Sequence, residues 1–306
     1  MNSSTILGIT GPTASGKTNL GIRLAKKINA EIISVDSAQI YKKLDIGTAK
    51  PTLIESEGIQ HHLIDVSEPW QKYSIKNFLD DVKSCINIIE SKNKKVLLVG
   101  GSMLYFKTLI EGISSLPSSN PIIRLWLQKI PIKKLYQFLL KYDPEVTKKL
   151  SMNDRQRVER VVEVAIISQQ PYSVLVKSNR KIGGLGTRIK LCALIPRERQ
   201  QLYKNITERF HNILAKGFLN EVETLKNHPR INSDLPSMKC VGYRQAWKYL
   251  DGQYSYDSFV IKTISATRNL AKHQLTWIRN WPTYIKLFEF DQDGYINNDN
   301  EFYQNF

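Results

Sequence analysis

The chain has 306 residues, of which 42% are apolar and 24% charged, and its net charge is +16. That length suggests two domains or one large core carrying an insertion, and the apolar share suffices to bury a sizeable core. No stretch reaches the ~20 apolar residues that span a bilayer, and three scattered cysteines, Cys85, Cys192 and Cys240, suit neither a disulfide framework nor a cysteine-built zinc site, so a reducing cytoplasm is the expected home.

Residues 1–9 carry no base ahead of their apolar run and do not read as a secretory signal. Residues 5–10 form a short apolar run stopped by Gly11-Pro12, the pattern of a buried strand. Leu20, Leu24 and Ile28 recur four apart and predict a helix over 16–28. A β-branched run at 31–35 ends at Asp36, and 62–66 is a candidate third strand. Ser74 can cap a helix whose apolar face is Ile75, Phe78, Leu79, Val82, Ile86 and Ile89. A further strand is expected at 95–99, stopped by Gly100-Gly101. Strands alternating with helices imply a parallel sheet covered by helices.

The pattern changes near Leu116. Residues 117–182 carry only helical signals, with a start at Asp143-Pro144-Glu145 and a capping-box pattern at Asn153 and Gln156. The expected division is therefore a core over 1–116, a helical insertion over 117–184, and a return to the core over 185–306. Gly183-Gly184-Leu185-Gly186 marks the joint, and 190–195 reads as a strand. One long helix is expected from about Arg197 to Leu225, a second over 255–281, and a last strand over 284–290. The Asn/Asp-rich end after Asp291 reads as frayed.

Charge is unevenly spread. Residues 1–115 hold 14 Lys+Arg and 11 Asp+Glu, residues 116–286 hold 30 and 12, and residues 287–306 hold none and five. The middle segment, at +18, would attract a polyanion such as nucleic acid. The adjacent His61-His62 and the five tryptophans suit local packing better than a metal pair or a base-stacking platform.

Gly11, Pro12, Thr13, Ala14, Ser15, Gly16, Lys17 and Thr18 match the pattern G-x-x-x-x-G-K-[ST]. Glycine lets the backbone curl so that N–H groups converge on phosphate oxygens, and the next helix presents its positive end. Lys17 adds a charge and the Thr18 hydroxyl can ligate magnesium. The loop alone does not say which phosphate is held. A nucleotide hydrolase carries a second acid at the end of a buried strand, but residues 95–99 end in Gly100-Gly101-Ser102. Asp36 is the better-placed acid. It could bind metal, orient a water, accept a proton, or simply cap a turn. A small-molecule or nucleoside kinase using ATP is the alternative enzyme reading, and a nucleic-acid-binding module without transfer chemistry is a third.

Beyond this loop, the chain resembles a known family at Ser34-Val-Asp-Ser-Ala-Gln-Ile-Tyr41, Asp45-Ile-Gly-Thr-Ala-Lys-Pro51, Val99-Gly-Gly-Ser-Met-Leu-Tyr-Phe-Lys107, Asp154-Arg-Gln-Arg-Val-Glu-Arg160, Cys240-Val-Gly-Tyr-Arg244 and Thr267-Arg-Asn-Leu-Ala-Lys-His-Gln274. Taken together, in this order, these segments resemble the tRNA dimethylallyltransferases (tRNA isopentenyltransferases). The resemblance implies a P-loop NTPase-like α/β core with a helical insertion. It implies transfer of a dimethylallyl group from dimethylallyl diphosphate to N6 of adenine 37, in the anticodon stem-loop of tRNAs reading codons that begin with U, with release of pyrophosphate. Asp36 would be the general base. Lys17, Thr18 with Mg2+, and Arg209 would stabilise the leaving pyrophosphate, with Ser102, a threonine in the family, beside them. Contacts to tRNA would fall on Asp36, Ser37, Ala38, Gln39, Ser102, Arg124, Gln156, Arg157, Val158, Glu159, Arg160, Lys239, Cys240, Val241, Gly242, Tyr243 and Arg244. The family further implies a monomer, and the lack of a long apolar stretch leaves no membrane partner expected.

Overall fold

The computed structural model describes residues 4–178, 181–281 and 285–290. Two compact units divide the chain, Met1–Ile110 with Leu185–Phe306, and Glu111–Gly184.

In the first unit the chain runs through β1 (Ile6–Thr10), α1 (Lys17–Ile28), β2 (Ala30–Ser34), β3 (His61–His62), α2 (Ile75–Ser91), β4 (Lys95–Gly100) and α3 (Met103–Glu111), whose last residue falls in the second unit. Six parallel strands form one sheet in the order β3-β2-β4-β1-β7-β8, the last two being contributed after residue 185. β1 and β2 are buried along their whole length, as expected of parallel strands covered on both faces. The expected strand at 62–66 is confined to His61–His62, because Leu63 and Asp65 take positive φ and leave the ladder. α2 starts where predicted. Ser74 Oγ accepts from Asn77 N at 3.2 Å while Asn77 Oδ1 accepts from Ser74 N at 3.1 Å, so two otherwise orphaned amides are satisfied.

The second unit contains β5 (Ile113–Ser114), α4 (Pro121–Gln128), α5 (Ile132–Tyr142), α6 (Pro144–Thr147), α7 (Arg155–Ser168), α8 (Tyr172–Ser178) and β6 (Lys181–Ile182). It has its own core, with Leu127, Leu135, Leu139 and Leu150 packed on Val158, Val161 and Val162. Two corrections apply. Residues 117–182 are not helical throughout, since Lys181–Ile182 pairs antiparallel with Ile113–Ser114. The cap of α7 is Asp154, which accepts from Arg157 N at 3.2 Å, and not Asn153.

The chain then returns to the first unit as β7 (Ile189–Pro196), α9 (Arg199–Ala215), α10 (Phe218–Lys226), α11 (Tyr243–Leu250), α12 (Tyr256–Arg279) and β8 (Lys286–Phe290). The single helix expected from Arg197 to Leu225 is two, broken at Gly217, whose φ of 92° is readily adopted only by glycine. α12 matches the expected helix closely, with Ser255 accepting from Ser258 N at 3.2 Å as its cap. The expected frayed end after 291 lies outside the described residues.

Among the described residues, two hydrophobic clusters of this unit flank the carboxyl ends of β1 and β2. One joins the sheet to α1, to Leu202 and Ile206 of α9, and to Ala271 and Leu275 of α12. The other gathers Ile40, Tyr41 and Leu44 with Phe210, Ile213, Phe218, Tyr243 and Phe259. α9 and α12 take part in both. Among the described residues no helix is long and apolar enough to cross a membrane.

Candidate active site

Asp36, Lys17, Thr18 and Arg209 line one cavity of about 1090 Å³, its open mouth included. The sheet explains why they meet. β1 delivers the glycine-rich loop and β2 delivers Asp36, both at the carboxyl ends of parallel strands, where open α/β sheets hold their ligands. Val35 N donates to Val99 O at 2.8 Å and Ser102 N to Val35 O at 3.1 Å, so the segment bearing Asp36 is fastened to the end of β4.

Lys17 Nζ donates to Pro12 O at 3.0 Å, folding its side chain back over the loop. Thr13 N donates to Gln274 Oε1 at 2.9 Å, and Gln274 Nε2 donates to Gly101 O at 2.9 Å, so α12 staples the loop to the turn after β4. Ser15 Oγ is buried in the loop with no hydrogen-bond partner among the described residues. Such an orphaned hydroxyl suits a loop whose remaining partner is a ligand oxygen.

Asp36 Oδ1 accepts from Ala38 N at 2.8 Å and from Gln39 N at 3.4 Å. Ser102 Oγ accepts from Ser37 N at 3.0 Å, beside the cavity and not in its lining. Gln39 Oε1 accepts from Ser34 Oγ at 3.0 Å while its Nε2 reaches Ala49 O at 3.4 Å. Burial pushes the Lys17 ammonium down to about 8, and Arg209 adds to that shift while Asp36 opposes it. Arg209 is lowered by its own burial, with Asp36 opposing. Two cations crowded together beside one carboxylate form a field that an anion would relieve. Cys240 also lines the cavity, but burial and then the Asp36 charge push its thiol up to about 12, so it is not a thiolate nucleophile at neutral pH.

Away from the charges the wall is apolar. Ile206, Phe210 and Ile213 of α9, Phe218 of α10 and Leu270 of α12 line it with Thr263 and Thr267. On α9 the order Ile206, Arg209, Phe210, Ile213 places one guanidinium within an apolar helical stripe. A diphosphate bearing a short hydrocarbon would find complementary chemistry at both ends.

The predicted contacts to tRNA separate into groups. Asp36, Ala38, Gln39, Cys240, Val241 and Gly242 surround the cavity, Ser37 is exposed beside it, and Lys239 and Arg244 are exposed. Arg124, Gln156, Arg157, Val158, Glu159 and Arg160 belong to the second unit. Gln156 and Arg157 are exposed there. Arg124 and Arg160 both pair with Glu163, which is 0% exposed, and Glu159 pairs with Arg155. Two positions need correction. Val158 is a fully buried core residue, and Tyr243 is fully buried with its hydroxyl donating to Glu221, so neither side chain offers a surface contact. Sequence reasoning gave no role to Thr48, Thr267, Leu270 or Gln274, which were visible only as members of quoted motifs, and it missed the apolar wall contributed by α9 and Phe218.

Residues 39–281 match the family model described as IPP transferase. The chain is also similar to the tRNA dimethylallyltransferase of Francisella tularensis subsp. tularensis, 52% identical over 295 residues, which cover 95% of this chain and 96% of that one. The chain belongs to the IPP transferase family. Among solved structures, the tRNA isopentenylpyrophosphate transferase of Bacillus halodurans superposes with a TM-score of 0.68 at 30% identity, over 94% of this chain and 90% of that one. A eukaryotic dimethylallyltransferase described as acting on tRNA gives 0.79 at 25% identity, over 94% and 74%. These likenesses bear out the expected family and its P-loop α/β fold.

Proposed function

We propose that the chain transfers a dimethylallyl group from dimethylallyl diphosphate to N6 of adenine 37 in tRNAs reading codons that begin with U, releasing pyrophosphate. The observation that carries this reading is the single cavity that joins Asp36 to Lys17 and Arg209 and continues into an apolar wall. The family named above supports it.

The Gly11–Thr18 loop, Lys17 and Arg209 bind the diphosphate and are set to stabilise charge as it departs, a preorganised arrangement that needs no reorganisation at the moment of reaction. The phenyl and aliphatic wall holds the five-carbon chain and keeps water from the allylic carbon. Asp36, held by two backbone amides, accepts the proton that adenine N6 loses as the new C–N bond forms. The amino group is a weak nucleophile, so this proton need leave only as bonding proceeds. Adenine reaches the cavity by leaving its stack in the anticodon loop.

No group of three or more His, Cys, Asp or Glu side chains among the described residues could by itself hold a metal. A magnesium ion would sit on the Thr18 hydroxyl and on donor oxygens, which suits an ion that keeps waters and takes few protein ligands. When bound it would supply further charge neutralisation for the leaving pyrophosphate.

Mass spectrometry of tRNA incubated with the protein, magnesium and dimethylallyl diphosphate tests the reading. A mass gain of one dimethylallyl group at adenine 37 is expected. Unmodified tRNA, together with ATP consumption in a parallel incubation supplied with ATP, would return the site to the kinase alternative.

A further inference from the structure

Glu221 of α10 does not line the cavity, yet it holds two parts of its wall. Its Oε2 accepts from Asp45 N at 2.9 Å and Ile46 N at 2.7 Å. Its Oε1 accepts from Gly47 N at 3.1 Å and from the Tyr243 hydroxyl at 2.5 Å. Three successive backbone amides converging on one carboxylate form an anion nest, and here the anion is the protein's own.

Each bond leads to the cavity. The Asp45–Gly47 turn continues into Thr48 and Ala49, which line it. Thr48 O in turn accepts from Arg209 Nη2 and from Gln39 Nε2, both at 3.5 Å. The far end of the same turn is fixed by Lys50, whose buried Nζ donates to Tyr41 O at 2.5 Å and Asp45 Oδ1 at 2.7 Å. Tyr243 opens α11 directly after Cys240, Val241 and Gly242, which form another part of the wall. Burial and the facing Glu221 carboxylate push the Tyr243 phenol far up, so it remains a donor. There is little slack, because a Cβ on Gly47 would lie 2.3 Å from the Phe218 ring and 2.6 Å from that of Tyr243.

We propose that Glu221 is a positioning residue for prenyl transfer, registering the 45–49 turn against the 240–243 turn so that Arg209 and Gln39 are held in place for the reactants. This rests on the function proposed above. It assigns no contact with substrate to Glu221, whose two oxygens already serve four donors.

The test uses the full chain and separates kcat from KM. Glu221→Gln turns an amide NH2 toward backbone N–H groups, so the turn must shift. At a temperature where circular dichroism shows the variant folded, kcat is expected to fall about 10²-fold, the usual consequence of displacing a reacting group by about 1 Å. Any rise in the KM for tRNA should be smaller than the fall in kcat, because Glu221 itself makes none of the proposed tRNA contacts and reaches Gln39 and the 240–244 segment only through the turns it holds. Tyr243→Phe removes one of four bonds and should lower kcat by about three- to tenfold. Glu221→Asp, which keeps the charge on a shorter arm, should recover part of the loss. A folded Glu221→Gln protein whose kcat stays within about threefold of the unaltered chain overturns the proposal. Should that variant fail to fold, Tyr243→Phe decides, and an unchanged kcat there overturns it equally. Absence of transfer by the unaltered chain would sink the functional reading and this inference together, whereas transfer that is indifferent to Glu221 would sink the inference alone.

Discussion

Glu31 and Asp36 stand five residues apart at opposite ends of β2, and the protein treats them in opposite ways. Glu31, near the amino end, is 3% exposed and receives His62 at 2.7 Å, Lys94 at 2.9 Å and Lys92 at 3.2 Å. Burial alone would raise its carboxyl, but the bonds from His62, Lys94 and Lys92 outweigh it and hold the group at about 2. Asp36, past the carboxyl end, has one oxygen bonded to two amides and lies in the wall of a cavity shared with two cations. A carboxylate saturated by its neighbours holds a fold together. One that is only partly committed is available to a substrate. The same division separates Glu163 from Arg157 in the second unit.

The widest gap should appear between variants at these two positions. Asp36→Asn is expected to lower single-turnover transfer by about 10²- to 10⁴-fold, the usual contribution of a general base, while thermal stability stays close to that of the unaltered chain. Near-normal turnover would remove Asp36 from the mechanism. Glu31→Gln should do the reverse, leaving turnover by folded protein intact and costing stability. A carboxyl held at about 2, against an ordinary value near 4.5, contributes about 3 kcal/mol. Because the folded value is depressed, that contribution is present above about pH 4.5 and is lost as pH falls through about 2. Urea melts from pH 7 down to the acid limit should show an acid limb that flattens in Glu31→Gln. An unchanged limb would mean that the network does not hold the carboxyl down.

This contrast was only half legible in the sequence. Asp36 could be placed because the end of a buried strand in a parallel sheet is a known address for ligands, and the glycine-rich loop supplied the other half of the site. Glu31 looked like an ordinary polar residue opening a β-branched run, since its partners lie 31 to 63 residues away and no local spacing announces them. Glu221 was hidden for the same reason, its partners in the Asp45–Gly47 turn being more than 170 residues distant. The break between α9 and α10 was missed because the apolar stripe runs on from Phe210 and Ile213 to Phe218 and Val222, and only Gly217 interrupts it. Periodicity reports which face is buried. It does not report where a helix turns a corner, nor which distant carbonyl a side chain will find.

Within the cavity, Lys17 gives a smaller and more graded test of the same contrast. Burial and then Arg209 disfavour its charge and push the ammonium down to about 8. Below that pH it is already charged when the diphosphate arrives. Above it, binding must take up a proton, so donor affinity should weaken by about tenfold for each further pH unit. Titration of donor affinity from about pH 7 to about 9.5 should show this inflection in the unaltered chain, and Lys17→Arg, which stays charged, should lose it. A flat profile in the unaltered chain would mean that Lys17 does not feel the crowding inferred from the cavity.

The smallest effects are expected in the second unit, where they distinguish binding from support. Arg157 is 75% exposed and its one ion pair among the described residues is a 3.3 Å contact with Asp154, so it can meet a phosphate at modest cost. Arg160 instead divides its guanidinium between Glu163 and Pro117 O, and the carboxylate it serves is fully buried. Arg157→Ala should weaken tRNA binding by a few-fold and reduce the slope of log affinity against log salt by about 1, as for the loss of one phosphate contact. Arg160→Ala should leave that slope nearly unaltered and lower the melting temperature, because among the described residues Glu163 would keep Arg124 and Asn120 N alone to offset its burial. If Arg160→Ala instead flattens the salt dependence as much as Arg157→Ala, the Glu163 pair must open when tRNA binds. The rule that saturated charges support and uncommitted charges bind would then fail in the unit where it is most directly measured.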